Sequence, residues 1–130
     1  MFDIFENHRD IIGVIHFAAA KAVGESVKNP LFYYTNNVQP MVNLLSAMIQ
    51  FEVESFCFSS SCCVYGQPDS LPVNESAPVK EPECPYGYTK QINENILKDT
   101  IKSGANIRGI ALRYFNVIGA HESGLIGELP

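Results

Sequence analysis

Ile11-Ile12-Gly13-Val14-Ile15-His16-Phe17-Ala18 is a short, almost unbroken apolar run, and the small residues Ala18-Ala19-Ala20 close it. Continuous rather than alternating hydrophobicity, with β-branched residues throughout, predicts a strand over 11–18 buried on both faces, as in a parallel sheet. The small-residue exit leaves room for a ligand to approach the backbone, with Lys21 directly after it. His16 sits inside the apolar run and reads as a satisfied core histidine rather than a catalyst. Downstream, Asn29-Pro30 has the form of a helix start, with Asn as cap and Pro at the first helical position. Leu31, Tyr34, Val38, Met41, Leu45 and Met48 follow at three- and four-residue steps, predicting a helix that reaches about Phe51. Pro40 is the anomaly. In mid-helix it removes a backbone hydrogen bond and crowds the carbonyl of Asn36, costing about 3 kcal/mol if uncompensated, so a kink is expected there.

The remainder repeats the pattern. Ser55-Phe56-Cys57-Phe58-Ser59-Ser60 predicts a second buried strand, and residues 67–85 form a long loop rich in Pro and acids. A loop of that length in a compact domain is often functional. Residues 86–103 predict a helix with Ile92, Ile96, Leu97 and Ile101 on its apolar side and Gly104 as its stop. Residues 107–115 predict a third strand, and 116–130 a glycine-rich loop. Strand–helix–strand–helix–strand is a parallel α/β arrangement with right-handed crossovers.

Composition narrows the class of protein. The chain has 130 residues, 46% hydrophobic and 18% charged, which is the profile of one globular domain. A net charge of -5 argues against nucleic-acid and anionic-membrane partners. The apolar runs are too short for a membrane span, and the acids in Met1-Phe2-Asp3-Ile4-Phe5-Glu6 are unlike a signal peptide. A cytoplasmic location is the expectation. Cys57, Cys62, Cys63 and Cys84 lack paired metal spacing, so reduced thiols and no metal site are expected.

The chemistry-bearing stretch is Pro85-Tyr86-Gly87-Tyr88-Thr89-Lys90. If it opens a helix, Tyr86 and Lys90 stand on one face, one turn apart. An ammonium beside a phenol stabilises phenolate, lowering a pKa that is normally about 10. In a parallel α/β sheet ligands bind beyond the carboxyl ends of the strands. Ser59, Ser60 and Ser61, Tyr114 and Asn116, and the corner with Lys21 fall at such ends, and Tyr86 can return to the same edge. A hydroxyl, a phenol and an ammonium gathered there suit removal of a proton from a substrate alcohol, with hydride transfer as the companion step if a nicotinamide is present.

Ser61, Tyr86 and Lys90 resemble the Ser-Tyr-Lys set of the extended short-chain dehydrogenase/reductase family, and the resemblance narrows to its UDP-glucose (UDP-galactose) 4-epimerases. It is carried by His16-Phe17-Ala18-Ala19-Ala20-Lys21-Ala22-Val23-Gly24-Glu25-Ser26, Tyr33-Tyr34-Thr35-Asn36-Asn37-Val38, Phe58-Ser59-Ser60-Ser61-Cys62-Cys63-Val64-Tyr65-Gly66, the Pro85–Lys90 stretch and Arg113-Tyr114-Phe115-Asn116-Val117-Ile118-Gly119-Ala120-His121, in the family's order. The resemblance implies that Tyr86 is the base for the sugar 4-hydroxyl, Lys90 lowers its pKa and holds the nicotinamide ribose, and Ser61 shares the proton path. It implies NAD contacts at Ala18, Lys21, Asn37, Ser59, Tyr86, Lys90 and Tyr114, and UDP-sugar contacts at Ser61, Tyr86 and Asn116. The implied reaction is 4-epimerisation through a 4-keto sugar, in galactose metabolism, by a homodimer when full length.

In fold terms the resemblance implies a partial Rossmann-like doubly wound sheet. Residues 1–130 would be part of the NAD-binding domain, supplying strands 4 to 6 without the first βαβ unit or the C-terminal substrate domain. The first strand would then expose an edge open to association. Some positions depart from the family pattern: Cys62-Cys63 for Ala-Thr, Ala19 and Pro40 for Gly, Val117 for Pro, and Leu129 for an acid. Two other readings stand beside this one. A 4,6-dehydratase on the same fold would want acids where Cys62 and Cys63 stand. An inactive fragment that docks through its open sheet edge would bind NAD weakly, having no glycine-rich phosphate cradle.

Overall fold

The computed structural model describes residues 2–126; Leu129 and the rest of the last four residues lie outside them. Helix α1 spans Phe2–Asn7 and precedes strand β1, Gly13–His16. Helices α2, Val23–Lys28, α3, Pro30–Asn37, and α4, Gln39–Gln50, lead to β2, Ser55–Ser61. A 3₁₀ turn, Cys62–Tyr65, a long connection and helix α5, Pro85–Lys102, lead to β3, Arg108–Tyr114. The three strands form one parallel sheet in the order β1-β2-β3. This is the α/β architecture expected from the sequence.

The expected single helix over 30–51 is two helices divided at Val38. Its amide donates to the Tyr34 carbonyl at 3.0 Å and closes α3, while its carbonyl accepts from Val42 at 3.3 Å and opens α4. Pro40 therefore falls in the first turn of α4, where its missing N–H has no carbonyl to serve. The mid-helix cost does not arise. Asn29 was the expected cap of α3, yet its side chain makes no capping bond. Instead its amide donates to the Glu25 carbonyl at 2.9 Å, joining the end of α2 to the start of α3.

The core lies on one face of the sheet. Phe56 and Phe58 of β2 pack there with Met41, Leu44, Leu45 and Met48 of α4, Leu97 of α5, Val53 and Ile107. His16 stacks near the Phe56 and Phe58 rings, at centroid distances of 6.3 and 6.0 Å, and burial lowers its pKa, in keeping with a core residue. The opposite face is bare. In register across it stand Ile15, Cys57 and Ile110, with Ile15 66% and Ile110 55% exposed. Burial of the first strand on both faces is thus not what the described residues form, because α4 and α5 both cover the same side.

Candidate active site

Tyr86 is the second residue of α5, whose first residue is Pro85. The helix begins against the turn that follows β2, and this approach is close. A Cβ on Gly87 would stand 2.7 Å from the Pro82 Cβ and 3.3 Å from the Cys63 Cβ, so only glycine lets α5 start here. The connection reaching it is pinned by Gly66, at φ +57°, where any Cβ would lie 2.3 Å from the Glu81 carbonyl oxygen. Gln91 donates to the carbonyls of Val64 and Lys80, and Tyr88 donates to Glu81 at 2.6 Å. The end of the long loop, at Lys80 and Glu81, is therefore held onto α5 by polar contacts.

Lys90 stands one turn after Tyr86, with its Nζ 5.6 Å from the Tyr86 ring centroid and 5.0 Å from that of Phe58. It is buried, and its ammonium donates to the Ser59 carbonyl at 2.7 Å. Desolvation lowers its pKa to about 8. Ser61 ends β2 with its Oγ buried beside Tyr86. That oxygen accepts from the Cys63 amide at 3.2 Å, and the nearness of its hydroxyl to the phenol favours phenolate. Burial, however, outweighs that influence and pushes the Tyr86 pKa above its usual value, with Cys63, Cys62 and Cys84 adding in the same direction. The expected depression by Lys90 is absent from this arrangement, since the ammonium is directed at the Ser59 carbonyl rather than the phenol oxygen.

Behind these groups lies a buried amide network. Asn37, at the end of α3, accepts from the Ala20 amide and donates to the Ala20 carbonyl, both at 2.9 Å. It also donates to the Thr89 hydroxyl at 3.2 Å, which in turn donates to the Tyr86 carbonyl at 2.7 Å. Asn93 donates to the Asn37 carbonyl at 2.8 Å. Asn37 thus fixes the loop after β1 to the turn of α5 that carries Tyr86. Tyr33, wholly buried, donates to the Ala22 carbonyl or to Glu25 and holds the next stretch of that loop.

A second bracket was not anticipated from sequence. Arg113 of β3 pairs in a fork with Glu94 of α5 at 2.7 and 2.9 Å, and Ser60 of β2 donates to the same carboxylate at 2.5 Å. The Arg113 guanidinium also lies 4.8 Å from the Tyr65 ring centroid. A signal was present: a charged residue on the helix-facing side of an apolar strand requires a buried partner.

The carboxyl ends of all three strands bring Ala18, Ser61 and Tyr114 to one edge, with Phe17 and Tyr114 rings 6.3 Å apart. Ala18 and Lys21 are exposed, Ser59 and Tyr114 half-buried, and Asn116 is exposed two residues past β3. A cavity of about 700 Å³ opens instead between Tyr65, the loop at Val73–Glu75 and the outer edge of β3. It includes Arg113 and Tyr114 but neither Tyr86 nor Ser61, so it adjoins the edge site without being it.

A parallel sheet whose middle strand ends in Ser61 faces a helix that presents Tyr86 and Lys90 one turn apart, at the edge where ligands of such α/β sheets bind. The chain belongs to the NAD dependent epimerase/dehydratase family, whose model matches residues 1–128. It is 51% identical to the bifunctional protein gal10 of Schizosaccharomyces pombe over the whole of this chain and 18% of that protein. It is 49% identical to the UDP-glucose 4-epimerase of Caenorhabditis elegans over 91% of this chain and 34% of that one. The UDP-glucose 4-epimerase of Bifidobacterium longum, whose crystal structure holds NAD+ and UDP, superposes with a TM-score of 0.94. It is 45% identical, over 98% of this chain and 38% of that one. The chain therefore spans a third or so of the single-function relatives it matches. No helix among the described residues is long and apolar enough to cross a membrane.

Proposed function

We propose that this chain forms strands 4 to 6 of the NAD-binding domain of a UDP-glucose 4-epimerase, interconverting UDP-glucose and UDP-galactose when the rest of the domain and the substrate domain are present. The observation that carries the reading is the placement of Ser61 against Tyr86, with Lys90 buried beneath the same ring. Tyr86 takes the proton from the sugar 4-hydroxyl, and Ser61, beside the phenol, orients that oxygen and shares the proton path. Lys90 has one accepting partner, the Ser59 carbonyl, and ammonium protons left over for the hydroxyls of a ribose.

That donor set suits NAD. A buried cation, a carbonyl and a phenol line one sheet edge beside the backbone of Ala18, and diol recognition needs both donors and acceptors. Tyr114 and Lys21 complete the lining, and Asn37 acts through the Ala20 backbone it holds. Bound NAD would supply the hydride acceptor and donor for the 4-carbon. Asn116, past the end of β3, extends the edge toward the UDP-sugar. A homodimer and a cytoplasmic location go with this reading.

The test is conversion of UDP-galactose to UDP-glucose, with NAD added, by this chain and by a version completed at both ends. Epimerisation by the completed version, and little by the 130 residues alone, is the expected result. A 4-keto-6-deoxy product would replace the epimerase reading with the dehydratase one. Tight NAD binding by the short chain would show that the missing phosphate cradle matters less than argued.

A further inference from the structure

Two thiols that the reaction does not use stand at the lip of the site. Cys62 and Cys63 open the 3₁₀ turn after β2, both half-buried and both free. Burial pushes the Cys62 thiol up, and the neighbouring Cys63 thiol adds in the same direction. The turn is tied down, because the Cys63 amide donates to Ser61 Oγ and its Cβ rests against Gly87 of α5. The remaining thiols stand apart in kind. Cys84 is buried at the start of α5, and Cys57 lies on the bare face of β2 between Ile15 and Ile110.

We propose that Cys62 and Cys63 form a two-point modification site for thiophiles that bridge a dithiol, with trivalent organoarsenicals as the defining class. Adjacent Cα atoms are about 3.8 Å apart, below the roughly 4.4 Å at which disulfides begin, so a direct sulfur–sulfur bond is disfavoured. A bridge one atom longer removes that conflict. With an arsenoxide, two arsenic–sulfur bonds form and the arsenic–oxygen double bond breaks. The oxygen leaves as water with both thiol protons. Arsenic stays trivalent, so no oxidant or reductant is needed. The bridged group would sit beside the Tyr86 phenol, whose environment both thiols already influence. The effect on sugar chemistry rests on the proposed function; formation of the adduct does not.

The test uses the whole chain and phenylarsine oxide. Intact mass should show one phenylarsenic adduct, less one water, that survives washing with a monothiol and is released by a dithiol. Cys62→Ala and Cys63→Thr should each abolish the monothiol-resistant adduct, while Cys84→Ala and Cys57→Ala should keep it. An adduct that persists in Cys62→Ala or Cys63→Thr, or one lost in Cys84→Ala or Cys57→Ala, would overturn the proposal.

Discussion

The buried Lys90 ammonium makes the clearest residue-scale demand on the chain. Its pKa falls from 10.5 to about 8 on folding, because desolvation disfavours the charged form. Below pH 8 both folded and unfolded chains hold the proton, and the folded state carries the whole penalty. Between about 8 and 10.5 the unfolded chain holds a proton that the folded chain has released, so stability rises with pH. Tyr86 acts oppositely only above 10, where its raised pKa makes stability fall. We expect denaturant unfolding to show a Lys90-dependent gain of about 3 kcal/mol across that window, absent in Lys90→Met. A flat difference between the two proteins would contradict the assigned burial. Gly66 makes a steric demand of the same scale. Gly66→Ala meets the Glu81 carbonyl at positive φ and should cost about 2 kcal/mol or more, read from the unfolding midpoint.

At the scale of elements, the Arg113–Glu94–Ser60 bracket ties β3, α5 and β2 together beside the site. Glu94→Ala leaves a partly buried guanidinium without its fork, and a loss of about 2–3 kcal/mol is expected by denaturant titration. Pro40→Ala should change stability by less than about 1 kcal/mol, since the proline occupies a first turn; a gain near 3 kcal/mol would restore the mid-helix reading. Pro40 also shows what sequence could and could not tell. Periodicity through Val38 and Met41 joined two helices into one, although α3 buries Tyr33 and Asn37 and leaves Leu31 exposed, and only the proline marked the break. The three strands, α5 and its Gly104 stop were legible because long periodic or continuous apolar runs dictate them. Helices α1 and α2 span six residues each and are set by tertiary contacts such as Tyr33 on Ala22 and Phe5 on Phe51. Ser61, Tyr86 and Lys90 could be singled out by spacing and resemblance. The pKa of Tyr86 could not, since it depends on burial and on three thiols distant or adjacent in sequence.

For the whole molecule, one sheet face and the β1 edge are uncovered among the described residues, with Ile15 and Ile110 in register on either side of Cys57. Apolar surface of this kind drives self-association. Sedimentation of the chain alone should show concentration-dependent oligomers, and Ile15→Lys with Ile110→Lys should shift the distribution toward monomer. The same sheet brings the groups of the proposed site together in a chain that spans a third of its single-function relatives. β2, the 3₁₀ turn and α5 pack against one another, and between them they carry Ser61, Tyr86 and Lys90. The most direct test of that account is Tyr86→Phe in a version completed at both ends, assayed for UDP-galactose turnover and for UDP-sugar binding. Loss of the phenolic proton acceptor should reduce turnover by about 10²–10⁴-fold while the UDP-sugar still binds. Wild-type turnover in Tyr86→Phe would contradict the assignment of this site.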